Sequence, residues 1–206
     1  SVMPPPPELQ EGDRMTLNNL ACSRLEEGRV EEALEMLELL SSRWPEDTCL
    51  LNNLGFARLK AGRLKDSEAA FRLALAGAPS DPEALNNLGL ALAGQGQWLE
   101  AIESYRSALQ GLPEDARALA ADLLNNLGCA YREIGTLTEA ASVFRRARAQ
   151  APEDPEIANN LGCTALALGL HPEAASALEE ASRLSPKDGI IRENLRRCLA
   201  GGAPAP

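Results

Sequence analysis

Leu51-Asn52-Asn53-Leu54-Gly55 returns 34 residues later as Leu85-Asn86-Asn87-Leu88-Gly89. After 39 residues it returns as Leu124-Asn125-Asn126-Leu127-Gly128, and after 34 more as Ala158-Asn159-Asn160-Leu161-Gly162. An earlier copy, Leu17-Asn18-Asn19-Leu20-Ala21, precedes it by 34. A fixed period of this size marks an array of repeated supersecondary units. Two kinds of punctuation keep the same step: Gly28, Gly62, Gly96, Gly135 and Gly169 follow each Asn pair, and Pro45, Pro79, Pro113, Pro152 and Pro186 close each unit. Glycine frees a turn and proline cannot continue a helix, so each unit reads as helix, short turn, helix, short turn.

Apolar spacing within the units is helical. Ala101, Tyr105 and Ala108 form a stripe at i, i+4 and i+7, as do Ala140, Phe144 and Ala147. Asp81-Pro82 and Asp154-Pro155 open the next helices, with Asp as N-cap and Pro in the first turn, where its missing N–H costs nothing. Abundant Ala, Leu and Glu suit helices, whereas the β-branched and aromatic residues that favour strands are scarce: two Trp, two Tyr and three Phe in all. An all-α fold is predicted.

These residues resemble the tetratricopeptide repeat, whose signature runs Leu-Gly, then Ala-x-x-x-Phe, then Pro. Leu54-Gly55, Phe71 and Pro79 carry it here, as do Leu88-Gly89, Ala101, Tyr105 and Pro113. Ser67 stands where Ala is commonest, and Arg24 and Arg58 occupy a site often held by Tyr, which predicts looser packing there. The resemblance covers about Arg14 to Asp188 and implies a right-handed superhelical α-solenoid of five helix pairs, with the first helices lining a concave groove. Stacking agrees with the physics, since one helix pair cannot bury its apolar face alone.

The expected divisions are a proline-rich leader over 1–13, repeats over 14–47, 48–81, 82–120, 121–154 and 155–188, a capping helix over 189–200 and a tail over 201–206. The third repeat holds five extra residues, Ala116 to Ala120, good helix formers that should lengthen the next helix by about 7 Å at the helical rise per residue. Arg192, Glu193, Arg196 and Arg197 make the last helix polar, as a cap requires.

All eleven asparagines sit in the repeated motif: five pairs, and Asn194 in the last helix. Mid-helix each costs roughly 0.5 kcal/mol relative to Ala, so the ten paired ones give up about 5 kcal/mol of helix propensity that something must offset. Adjacent helical residues point about 100° apart, so the two members of a pair cannot face one place. The first members, Asn18, Asn52, Asn86, Asn125 and Asn159, have two readings: bonds to a neighbouring helix that fix the stack, or ligand contacts. For the second members, Asn19, Asn53, Asn87, Asn126 and Asn160, resemblance to the superhelices of protein O-GlcNAc transferase and kinesin light chain implies a row facing the groove. A carboxamide offers two donors and an acceptor, so such a row can hold the N–H and C=O of an extended polypeptide without reading its side chains.

Helical geometry places the neighbours of that row. Three residues after the second Asn come Cys22, Phe56, Leu90, Cys129 and Cys163, a modestly apolar stripe. Four before it come Met15, Cys49, Glu83, Asp122 and Glu156, and seven after it come Glu26, Lys60, Gly94, Glu133 and Ala167. Small apolar and basic side chains on a partner would fit; the same residues also read as ordinary solvated groove edges. The two-carboxylate clamp of chaperone-binding relatives needs Lys and Arg where this chain has Asn52, Asn86 and Glu83, so recognition of an acidic C-terminus is not expected.

Other chemistries find no support. Net charge is −10, from 20 basic and 30 acidic residues, which with few aromatics argues against nucleic acid. His171 is the only histidine and sits at a turn beside Pro172, so no His-based catalytic constellation is available. Gly94-Gln95-Gly96 lies between two helices with no preceding strand and reads as a repeat turn, not a phosphate loop. Cys129 and Cys163, one repeat apart, stand too far apart for a disulfide, and no ligands converge for zinc. Leu161 to Leu170 is too short to span a bilayer, and no signal peptide opens the sequence. The expectation is a non-enzymatic scaffold or adaptor without cofactor or metal, cytoplasmic, monomeric or weakly oligomeric, not inserted in a membrane, binding a protein or an extended peptide. Alternatives are an assembly unit associating through its ends or convex face, and a recruiting domain of a larger enzyme.

Overall fold

The computed structural model describes residues 11–113 and 115–201; most of the expected leader and tail lie outside them. Eleven helices form among the described residues, with no strand. The packing divides the chain into two compact units, Ser1–Ala91 and Leu92–Pro206. The repeat register carries no mark at this boundary, which falls inside a regular helix.

The first unit contains α1 (Glu11–Glu26), α2 (Val30–Arg43), α3 (Thr48–Lys60) and α4 (Leu64–Gly77), and α5 (Pro82–Gly94) runs across the boundary. α1 packs on α2, α2 on α3 and α3 on α4, and α1 also lies beside α3. Leu34, Leu37, Leu40, Leu50 and Leu54 form the centre of the core, with Ala21, Ala33 and Ala57 letting the helices close on it. Burying each such leucine contributes on the order of 1.5–3 kcal/mol.

The second unit contains α6 (Trp98–Gln110), α7 (Arg117–Glu133), α8 (Leu137–Gln150), α9 (Pro155–Ala167), α10 (His171–Leu184) and α11 (Gly189–Leu199). Neighbours in sequence pack on each other, and α7, α9 and α11 lie side by side. Phe144, Leu161 and Ala177 form one core cluster, and Leu166, Leu178 and Cys198 belong to the next.

Each recurring signature residue has a steric role. A Cβ on Gly55 would stand 2.6 Å from the Phe71 ring, and one on Gly128 equally close to Phe144. The Leu-Gly of the first helix is thus the notch into which the aromatic of the second helix fits. Both rings are fully buried. Gly162 makes the same notch for Leu178. In the turns, Gly62 sits at φ 74, the left-handed region, while Arg63 N–H donates to the Arg58 carbonyl and Gly62 N–H to that of Leu59. That is the Schellman closure, and it recurs at Gly28, Gly135 and Gly169. Asp47, Asp154 and Asp188 cap α3, α9 and α11 by accepting backbone N–H bonds, and Asp81 does so for α5.

The departures from the signature are accommodated locally. Ser67 is fully buried, and its hydroxyl donates to the Gly55 carbonyl at 2.7 Å, so the extra oxygen is satisfied. Arg58 reaches the Asp66 carbonyl and the Glu38 carboxylate, but its Nε is buried without a partner. At the insertion α7 is 17 residues long against 13 for α3, α5 and α9. Helix begins at Arg117, with Ala116 as its N-cap, and Arg117 Nη2 donates to the Ala149 and Gln150 carbonyls at the end of α8. At the other end α1 starts at Glu11, ahead of the boundary expected at residue 14, with Asp13 in the first turn where an acid suits the helix dipole.

Candidate functional site

The paired asparagines form bonded pairs between repeats. Asn53 Nδ2 donates to Asn18 Oδ1 at 2.8 Å, and Asn87 Nδ2 to Asn52 Oδ1 at 3.3 Å. In the second unit Asn160 Nδ2 donates to Asn125 Oδ1 at 3.0 Å, and Asn194 Nδ2 to Asn159 Oδ1 at 2.9 Å. In these four links the second member points back to the first member of the preceding repeat, 35 residues earlier. Divergence of adjacent side chains by about 100° makes this possible, since one carboxamide faces the preceding helix and the other the following one. The sequence reading divided the pair between a stacking role and a groove role; in the structure both members share the stacking bond.

The bonds leave part of each carboxamide unspent. Each link uses one acceptor lone pair of the first Asn and one donor of the second. Asn53 and Asn87, half-buried, keep their Oδ1, and Asn52 and Asn159 keep their N–H groups. Asn86 and Asn126 are also half-buried and engaged. Asn160 is different: only 8% exposed, it accepts from Arg132 Nη1 at 3.4 Å as well as donating to Asn125. Asn125 Nδ2 in turn donates to Glu156 Oε1 at 3.1 Å. Asn19, in the first repeat, is exposed.

Around this row the expected neighbours fall as follows. Phe56 is half-buried, with the Lys60 ammonium 5.1 Å from its ring centroid, a cation–π contact. Leu90, Cys22, Cys129 and Cys163 are half-buried, and Cys49 is exposed. Burial pushes the thiols of Cys22, Cys129 and Cys163 above their ordinary range, so they stay protonated and are poor nucleophiles. Asn18 and Asn53 amide nitrogens each lie 3.8 Å from Cys49 Sγ, and that of Asn160 lies as far from Cys129 Sγ. Glu83, Asp122, Glu156 and Lys60 are exposed. Partial burial, with the Asp154 and Glu156 carboxylates, raises the Asp122 pKa. Asp122 and Glu156 are thus brought together in the second unit, while Glu83 lies in the first. His171 is the exposed first residue of α10.

Sequence reasoning missed Arg132, which stands in a column otherwise filled by Leu25, Leu59, Ala93 and Leu166. That one polar residue in an aliphatic column was the available signal. All five cysteines are free, and no group of three or more His, Cys, Asp or Glu is placed to share a metal ion among the described residues. No helix among them is long and apolar enough to cross a membrane.

The tetratricopeptide repeat family matches residues 18–82 and 125–189 by one model and 80–153 by another, which together take in most of the chain. The chain belongs to the tetratricopeptide repeat family. Solved tetratricopeptide-type structures agree on the fold. PilW, a widely conserved type IV pilus biogenesis factor, superposes with a TM-score of 0.82 at 17% identity, covering 94% of this chain and 88% of that one. PilF of Pseudomonas aeruginosa gives 0.79 at 17%, covering 91% and 85%. YrrB, a TPR protein with an unusual peptide-binding site, gives 0.68 at 19%, covering 88% and 90%. No curated protein matches the sequence. At these identities the likeness is one of fold.

Proposed function

We propose that this tetratricopeptide array is a non-catalytic scaffold that binds an extended polypeptide along the asparagine row of its first helices. The observation that carries the reading is the half-spent ladder. Asn53 and Asn87 keep an acceptor, and Asn52 and Asn159 keep donors, after the inter-repeat bonds are made. A backbone amide needs one of each, and a row of carboxamides at a fixed step suits a chain whose amides also repeat. Phe56, Leu90, Cys129 and Cys163 beside the row would take small apolar side chains. Glu83, Asp122 and Glu156 would take basic ones; partial burial, with the Asp154 and Glu156 carboxylates beside it, raises the Asp122 pKa, and a cationic side chain would offset both. That YrrB has a peptide-binding site adds weight from a similar fold. A cytoplasmic setting, where free thiols persist, goes with the reading.

The ladder also supplies the test. Asn18→Asp/Asn52→Asp/Asn159→Asp keeps each Oδ1 that accepts the inter-repeat bond but removes the N–H groups. Peptides selected on wild-type protein from a random display library would be measured by fluorescence anisotropy against this variant, with circular dichroism confirming that it folds. About tenfold weaker binding is expected, the loss of two or more hydrogen bonds to a ligand. Equal binding by the folded variant, or a library that yields no binder, would refute the reading.

One observation favours the alternative of association through the ends. Leu20 is 39% exposed, whereas its repeat equivalents Leu54, Leu88, Leu127 and Leu161 are at most 5% exposed. A contact through α1 would bury it, and the ladder variant would leave that association untouched.

A further inference from the structure

Two clefts recur at the same place in the repeat, between the second helix of one pair and both helices of the next. In the first unit the cleft of about 430 Å³ has an apolar floor of Leu51, Leu54 and Ala70, with Glu38, Arg58 and Leu73 around it. Glu38 pairs there with Arg58 at 3.5 Å and with Arg63 at 3.3 Å, so that cleft is neutralised from within. In the second unit the cleft between α6, α7 and α8 has a volume of about 440 Å³. Its floor is Leu127 and Val143, both buried, with Leu109 half-buried beside them.

Three of the changes in the second cleft alter its charge. Repeat register puts Arg106 where the first has Glu38, Tyr131 where it has Arg58, and Arg146 where it has Leu73. The internal carboxylate is gone, and two arginines take its place and that of an apolar residue. Neither Arg106 nor Arg146 is ion-paired among the described residues, whereas the other two arginines of α8 are: Arg145 bonds Glu173 and Arg148 pairs with Glu180. In a chain of net charge −10, two unpaired guanidinium groups over an apolar floor form a local reversal of the field.

We propose that this cleft is a second docking site, taking an acidic polypeptide segment in which a carboxylate side chain adjoins an apolar one. The carboxylate would sit between the Arg106 and Arg146 guanidinium groups, whose planar forks bind it bidentately. The apolar side chain would cover Leu109, Leu127 and Val143, and the Tyr131 hydroxyl and Gln110 amide are polar groups at hand for the backbone. The charge preference is opposite to that of the asparagine row beside Asp122 and Glu156, so the two sites select different segments. This inference does not depend on the function proposed above.

The test uses the full chain and a short fluorescein-labelled peptide of alternating Glu and Leu, with a Gln-for-Glu peptide as control. Saturable anisotropy binding is expected for the acidic peptide, weakening as salt is raised. Arg106→Glu/Arg146→Glu should weaken it by about tenfold or more, as loss and reversal of two complementary charges does. The Asn18→Asp/Asn52→Asp/Asn159→Asp variant should bind it as wild type does, which separates this site from the asparagine row. Should the reversed variant fail to fold by circular dichroism, Arg106→Gln/Arg146→Gln serves the same comparison. Absence of binding, equal binding by a folded variant, or equal binding of the Gln peptide would overturn the proposal. So would displacement of the peptide by inorganic phosphate or a single-stranded oligonucleotide at the peptide's own concentration, which would make the cleft a site for phosphate groups.

Discussion

Asn53 and Asn19 hold the same place in the repeat and differ by one bond. Asn53 donates to Asn18 at 2.8 Å; Asn19 is exposed and makes no such bond among the described residues. Replacing either with Ala returns roughly 0.5 kcal/mol of helix propensity. Asn53→Ala also removes a hydrogen bond of about 1 kcal/mol and leaves the half-buried Asn18 oxygen without its donor. Asn53→Ala is therefore expected to destabilise, and Asn19→Ala to stabilise slightly, a difference of about 1 kcal/mol or more in urea unfolding. Equal effects would mean the ladder adds nothing to the stack. The position of this row was legible from the sequence because Asn is a poor mid-helix residue. Its pairing was not, since the partner stands 35 residues away and adjacent residues in one helix diverge. The clue was Asn194, which has no Asn before it in its helix and supplies the backward-pointing donor alone.

The helices themselves were legible because their boundaries are chemical. Asp opens α3, α5, α9 and α11, a left-handed glycine closes the turn inside each pair, and proline follows the second helix. Where that chemistry lapses the sequence says less: Ala116 makes no side-chain cap for α7, so its start at Arg117 is set by the bonds to the end of α8. Glycine inside the helices separates two kinds of element. Gly55→Ala would place a Cβ 2.6 Å from Phe71, a fully buried ring fixed by its neighbours. The overpacking cost of about 1–3 kcal/mol outweighs the gain of roughly 0.5–1 kcal/mol in helix propensity. Gly189, at the start of α11, has open space around its Cβ position and an ordinary φ. Gly189→Ala should therefore raise the melting temperature while Gly55→Ala lowers it. Scanning calorimetry on the two variants checks this; a rise for Gly55→Ala would show that the notch between Leu-Gly and the aromatic is loose.

At the scale of the molecule, the described core clusters are local to each unit. Each described cluster gathers residues from helices adjacent in sequence: Leu37, Leu50 and Leu54 in the first unit, Phe144, Leu161 and Ala177 in the second. In a repeat architecture of this kind stability is close to a sum of neighbouring terms, so damage should stay near its source. Leu37 is completely buried, and Leu37→Ala should cost on the order of 2–5 kcal/mol where it sits. Amide hydrogen exchange should then speed up through α1 to α4, while α9 and α10 keep wild-type protection, because sub-global opening follows the contacts that were lost. Protection lost equally throughout would mean that the units unfold as one cooperative body. The division at Ala91, invisible in the repeat register, would then be a feature of packing alone.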